Sequence, residues 1–376
     1  MLIILVGHIP ENSWGWWIPA QFGPSDAAEM FVFCSGYAAA IAFGGSFVRA
    51  GFWPGTARVV YRIWQLYWSN MLMVVAAFVV TFLTAKLLGT NPVEALGRFG
   101  LDVIVHDPAT ALIGIMSLSW TPSYFDILPM YMVALALMPV VVWLAGIDLR
   151  YAGSFVVGLY LAAQLGLALP GSPWDADKVW YFNPFAWQLL FFIGFAFGKG
   201  WLHCPAFRPR LLMVAMIWVI IWIPIKHWAF YPNFSWLEQL HWILIAPAAF
   251  KTNEHLFRVM HILSVIYLCL WLFERYRHLM TRPWSAPVVK VGQQALPTFM
   301  TSMVICWSLG LVLDETGRNF ATLAMVNIAG LGALVAVAYL VSWFKSEPWR
   351  IQTIRAEASA RADVEPGPTL GYTSKA

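Results

Sequence analysis

Charge is scarce in this chain. Only 11% of its 376 residues are Asp, Glu, Lys or Arg, against roughly 25% in a soluble globular domain, which excludes a water-soluble fold for most of the length. Cysteine is scarce too. Cys34, Cys204, Cys269 and Cys306 are scattered in or beside apolar runs, a pattern that implies no disulfide framework and no metal site. Ahead of His8 there is no basic region or cleavage site of a signal peptide. No internal repeat is visible. The net charge of +4 comes from basic residues in short loops, where membrane topology explains them, so no nucleic-acid partner is expected.

What the chain has is apolar surface: 60% of it is hydrophobic and the mean hydropathy is +0.67. A spanning helix needs about 20 mostly apolar residues, and such runs recur along nearly the whole length. They predict an all-α, polytopic transmembrane bundle of about ten spans: a stub ending at His8, then 27–47, 62–87, 124–147, 151–170, 184–202, 209–226, 256–274, 289–313 and 319–344. The long connection 88–123 carries TALIGIMSLSW, read as a short interfacial helix. Residues 1–345 form one integral-membrane domain, and 346–376 read as a cytoplasmic, disordered tail. The 22 Trp and 13 Tyr fit interfacial belts, with some left to line cavities. The stub places the Met1 amino group in hydrocarbon, where charge is costly. The expectation is that about half of a first span precedes Met1.

Orientation follows from counting cations. With the stub entering from the cytoplasm, only Lys86, Arg98, Lys178, Lys226, Lys251, Arg258 and Arg318 of the 23 Lys/Arg fall outside, the expected positive-inside bias. That bias puts GHIPENSW and the SDAAE stretch on the outer face, with His8 emerging from the first span. Histidine is a serviceable proton acceptor at neutral pH, although an isolated one is more often an interfacial residue with a satisfied hydrogen bond. Asp26 and Glu29 lie three apart on one helical face. Asp26 reads equally as a helix cap, whereas Glu29 sits deeper. Ionisable groups at membrane depth are functional candidates by default, and one of these acids orienting His8 would make a general-base arrangement. Glu11 reads as a solvated loop residue.

Four further groups stand out. Arg58 and Arg62, four apart in TARVVYRIWQLYW, sit at the cytoplasmic mouth with Tyr67 just inside; they are either topological anchors or guanidinium forks for phosphates of a large anion. In KTNEHLFRVMH, Arg258 and His261 sit one turn apart, with Lys251 nearby, facing either a polar cavity or an ion-pair partner, Asp126 or Glu29. Asp126 begins the fourth span ahead of Pro129, read as an intrahelical proline that bends the helix near a cavity. Gln188 and the pair Gln293 and Gln294 read first as interhelical hydrogen-bonding groups.

In order and spacing, HIPENSW, FGPSDAAEMFVFCSGYAAA, FDILPMYM, FNPFAWQLLFFIGFAFG, KTNEHLFRVMH and VGQQALPTF resemble the OpgC family of membrane proteins, associated with succinylation of osmoregulated periplasmic glucans. The resemblance runs from His8 to about residue 345. VFCSGYA, RVVYRIWQLYW and His8 also echo motifs of the membrane acyltransferase-3 superfamily. The resemblance implies an O-acyltransferase of the bacterial inner membrane. A cytoplasmic acyl-CoA, succinyl-CoA in this family, would donate to hydroxyls of a periplasmic glucan, with no permanently bound cofactor. It implies His8 as base facing the periplasm, Asp26 and Glu29 as the family's SDAAE acids, and Arg58 and Arg62, with Tyr67, toward the donor. Asp126, Gln188, Lys251, Arg258 and His261 are then candidates for acceptor or acyl contacts. The superfamily carries an arginine about three turns before the histidine, a position ahead of Met1 here. Competing expectations are a transporter or flippase of a sugar or lipid-linked sugar, and an acetyltransferase of the same fold acting on another surface polysaccharide. Oligomeric state is left open.

Overall fold

A computed structural model describes residues 1–247 and 251–350; the expected tail beyond 350 lies outside the described residues. Among the described residues the only β-type pairing is an isolated bridge between Pro170 and Val179. The helices used below are α1 (Leu2–His8), α2 (Ala27–Ala50), α3 (Phe52–Leu87), α4 (Pro92–Gly97), α5 (Val103–His106), α6 (Pro108–Ser117), α7 (Ile127–Ile147), α8 (Leu149–Gln164), α9 (Pro184–Lys199), α10 (Pro209–Lys226), α11 (Ser235–Leu244), α12 (Leu256–Arg275), α13 (Ala286–Gln293), α14 (Ala295–Thr316) and α15 (Phe320–Lys345). Seven are long and apolar enough to cross a membrane: α2, α3, α7, α10, α12, α14 and α15. The other three expected spans are helices too, but α1 has 7 residues and α8 and α9 have 16 each, short of the roughly 20 a span needs.

Helices α2 and α3 differ in length. Helix α2 has 24 residues and α3 has 36, and they reverse at Gly51, whose φ of +87° only glycine adopts without strain. Arg58 reaching back to Ser46 at 2.5 Å shows the two running side by side. At 1.5 Å per residue, the Leu87 end of α3 therefore overshoots the start of α2 by about 18 Å. Helix α3 begins ten residues earlier than its predicted span, because its first turns are amphipathic and helicity there does not depend on unbroken hydropathy.

Helix α6 descends into this space instead of lying at an interface. The Tyr67 hydroxyl donates to the Met116 carbonyl at 2.7 Å, and Tyr67 lies 20 residues, about 30 Å, before the end of α3. The chain from Leu118 to Asp126 returns without helix at that depth. Irregular backbone there is tolerable where it lines a cavity, which residues 120–124 do. Pro129 is the third residue of α7, where no intrahelical N–H bond would form. It starts the helix and does not bend it; the proline inside α7 is Pro139.

Close packing of α2 on α9 anchors the floor. A Cβ on Gly36 would lie 1.9 Å from the Phe191 carbonyl oxygen, and one on Gly194 2.1 Å from that of Phe33. Gly36, Ala40 and Gly44 on α2 face Gly194 and Gly198 on α9 at four-residue spacing, the small-residue seam by which membrane helices approach. A buried amide pair ties the chain after α1 to α15: Asn12 donates to Asn327 at 2.8 Å and Asn327 donates back at 3.0 Å.

Candidate active site

A cavity of about 810 Å³ opens among α1, the start of α2, the 118–127 return and the 171–182 link. His8, Asp26, Asp126 and Lys251 line it, so four of the eleven candidate residues converge. Tyr124, Trp174, Lys178, Tyr181 and Arg98 are among the other polar and aromatic residues of its wall.

His8 ends α1. Its Nδ1 lies 2.7 Å from the Ile4 carbonyl oxygen. A carbonyl only accepts, so Nδ1 carries the hydrogen and Nε2 keeps the lone pair. The ring packs edge-on against Tyr124 with centroids 4.9 Å apart. The tautomer is therefore set by the main chain and not, as expected, by Asp26 or Glu29.

Those two acids belong to a buried cluster beside the cavity. Asp26 caps α2, accepting from the Ala28 N–H at 2.8 Å, while Glu29 accepts from the Asp26 N–H at 2.8 Å, a complete capping box. The other Asp26 oxygen accepts from Lys251 Nζ at 2.6 Å. Burial alone would raise the Asp26 carboxyl, but Lys251 and Arg258 hold it well below the usual carboxylate range. Burial would lower the Lys251 ammonium, and Asp26 and Glu29 more than reverse that. Both stay charged at neutral pH.

Glu29 is wholly buried and pairs with Arg258. Arg258 also lies 3.5 Å from Glu254 and 3.9 Å from Asp26. Of the two ion-pair partners expected for it, Glu29 is the one found. His261 points Nδ1 at the Ser25 hydroxyl, 2.6 Å away, and its ring fills the space a Cβ on Gly23 would need. Glu29, Arg258 and His261 thus brace the cavity wall without lining it. Gln188 is fully buried and donates to the Val156 carbonyl at 2.8 Å, an interhelical bond that leaves it no access to a substrate. Gln294 accepts from Lys345 at 2.7 Å, again between helices.

The donor candidates lie elsewhere. Arg58 contacts Ser46 and the Phe43 ring, 5.7 Å away, and Arg62 donates to Gln65 at 3.1 Å. Both lie within three turns of the Phe52 end of α3, and neither lines the cavity. The Tyr67 hydroxyl is occupied in holding α6.

Asp126 is only 6% exposed, and its Oδ1 has no hydrogen-bond partner. It precedes α7 without capping it, so the carboxylate is spare for whatever enters the cavity. Tyr124 was invisible from sequence. Its φ is +73°, an uncommon backbone state for a bulky residue, and such states cluster at functional sites. No pattern of residue types signals that angle. Trp174 and Lys178 sit in a turn-rich link, SPWDADK, that reads as a mere connection.

A helical protein with several helices long enough to cross a membrane, and a cavity with a main-chain-oriented histidine in its wall, has the makings of a membrane-embedded transferase. The chain belongs to the OpgC family: a family model described as OpgC protein matches residues 1–346. No curated protein and no solved structure matches it. Family membership and membrane-helical character together point to a membrane acyltransferase.

Proposed function

We propose that the protein is an O-acyltransferase of the bacterial inner membrane, moving a succinyl group from a cytoplasmic acyl-CoA to hydroxyls of a periplasmic glucan. The observation that carries this reading is His8 Nε2, held as a lone-pair acceptor on the wall of a cavity large enough for an acyl group and part of a glycan. A sugar hydroxyl is a poor nucleophile. His8 takes its proton as the oxygen attacks the thioester carbonyl, a step worth roughly 100- to 10,000-fold; the C–O bond forms, the C–S bond breaks, and the coenzyme A thiolate departs.

Lys251 is a cation within reach of the far carboxylate of a succinyl group, because Arg258 is enclosed by acids whereas Lys251 is 26% exposed at the cavity, whose wall Lys178 and Arg98 share. Arg58 and Arg62 would hold the donor's phosphates at the Phe52 end of α3, so the long arm of coenzyme A must reach from there toward His8. The cavity serves this reading better than a transport reading, because a histidine fixed in one tautomer is a requirement of proton abstraction and not of passage.

Mass spectrometry of periplasmic glucans from wild-type, deletion and His8→Ala cells tests the proposal. Succinylation is expected in the first alone. Equal succinylation in all three rejects the function, and succinylation lost on deletion but kept in His8→Ala rejects only the base. Acetyl groups in place of succinyl would favour the acetyltransferase alternative.

A further inference from the structure

Part of the cavity wall is aromatic. Trp174 and Tyr181, 42% and 45% exposed, stand in this wall together with the buried Trp120. Trp120 and Trp174 meet edge to face, with centroids 5.2 Å apart and planes at 86°. Trp174 Nε1 donates to Asp107 at 3.0 Å, which uses the indole's only donor and fixes the ring. The link carrying Trp174 is itself pinned: Gly171 N–H donates to the Lys178 carbonyl at 2.7 Å and Trp180 N–H to that of Leu169 at 3.0 Å, and Trp180 Nε1 donates to the Leu118 carbonyl at 3.1 Å.

We infer that this wall is an oligosaccharide subsite, in which Trp174 and Tyr181 seat the apolar C–H faces of neutral hexopyranose units while Asp126 accepts from a hydroxyl of the unit nearest His8. A rigid indole with no free N–H offers a face and nothing else, which matches the C–H face of a sugar ring and costs little entropy on binding. A buried carboxylate oxygen without a partner is expensive, and a sugar hydroxyl supplies the missing donor. A lipid chain would leave it unpaired. The volume, near the top of the roughly 300–1,000 Å³ range of ligand sites, suits more than one sugar unit beside an acyl group.

The inference rests on the glucan acceptor proposed above, and binding without donor separates the two. Full-length protein in lipid nanodiscs is titrated with a gluco-oligosaccharide and with free glucose by calorimetry. Trp174→Ala is expected to weaken oligosaccharide binding about ten-fold and to raise the acceptor KM more than it lowers kcat. Trp174→Phe keeps a ring face and is expected to bind close to wild type, which separates lost stacking from a misfolded link. Trp143→Ala, at an exposed position of α7 outside the cavity, serves as control and is expected to bind as wild type. Unchanged oligosaccharide affinity in Trp174→Ala, or a Phe variant as weak as the Ala variant, overturns the subsite. Wild-type protein that binds the oligosaccharide in this way but transfers nothing to it overturns the acyl-transfer reading and leaves the subsite standing.

Discussion

Asp26, Glu29, Lys251, Glu254 and Arg258 share one buried cluster but divide its work. Arg258 is surrounded by carboxylates and is only 6% exposed, so removing one partner strands a buried charge, a loss of about 3–5 kcal/mol. Glu29→Gln and Arg258→Met are each expected to reduce the monodisperse fraction after heating in detergent, and the double variant to recover part of the loss; single variants as stable as wild type would contradict this. Asp26 and Lys251 behave otherwise, because they reach the cavity. The Asp26 carboxyl is depressed, so its stabilisation is present above its unfolded value near pH 4 and is lost only as pH falls through a still lower folded value. Lys251 is raised, so its share is present below roughly pH 10 and is lost as pH rises through its folded value. The stability gap between wild type and Asp26→Asn is therefore expected to be constant from about pH 6 to 8 and to close below about pH 4. A gap that changes across neutral pH, followed by melting temperature, would refute that assignment. At the same scale, Lys251→Met is expected to lower succinyl-CoA turnover roughly 10- to 100-fold relative to acetyl-CoA, measured by competing the two donors. His8, Asp26, Lys251 and Asp126 were legible because charge beside an apolar run needs a reason. Glu29 and Arg258 were equally visible, yet sequence cannot tell an acid that faces a cavity from one that closes a capping box and an ion pair.

Among the elements, the α2 and α9 seam is the least tolerant of change. The atoms facing Gly36 and Gly194 are main-chain carbonyls of the neighbouring helix, which cannot rotate aside as a side chain would. Gly36→Ala and Gly194→Ala are each expected to cost about 1–3 kcal/mol or more. Gly158→Ala and Gly332→Ala, with open space at their Cβ positions, are expected to be silent or slightly stabilising. Retention of the monodisperse peak across a temperature series checks all four; equal loss at all four sites would show that helix propensity, not close approach, sets the cost. Hydropathy placed helix in each of the ten expected segments, because an apolar run in lipid has to satisfy its own backbone, although the segment 289–313 runs across the break between α13 and α14. It overestimated α8 and α9 as full spans and missed the first ten residues of α3, since hydropathy reports apolar surface and not helix ends. The descent of α6 was hidden for the same reason: an apolar ten-residue helix reads alike at an interface and inside.

For the whole molecule, function depends on which membrane face the cavity meets, and the uneven division of Lys and Arg between the two sides is the physical basis for placing it outside. Cys204 offers a test already present in the chain. It is exposed in the link between α9 and α10, at the end of the bundle where Lys199 approaches Gly44, and is expected on the cytoplasmic side. Ser172 lines the cavity and is expected on the periplasmic side. A membrane-impermeant maleimide should label Cys204 in inverted vesicles and spare it in intact spheroplasts, whereas Ser172→Cys in a Cys204→Ser background should show the reverse. Cys34, Cys269 and Cys306 lie within the apolar helices α2, α12 and α14, where a charged reagent does not enter the bilayer to reach them. Because α2 joins the cavity, through Asp26, to the inner-end links, through Arg49, the two labels have to change together. Both patterns inverted would turn His8 toward the cytoplasm, where no periplasmic glucan could reach it, and the acceptor reading would fall with the orientation.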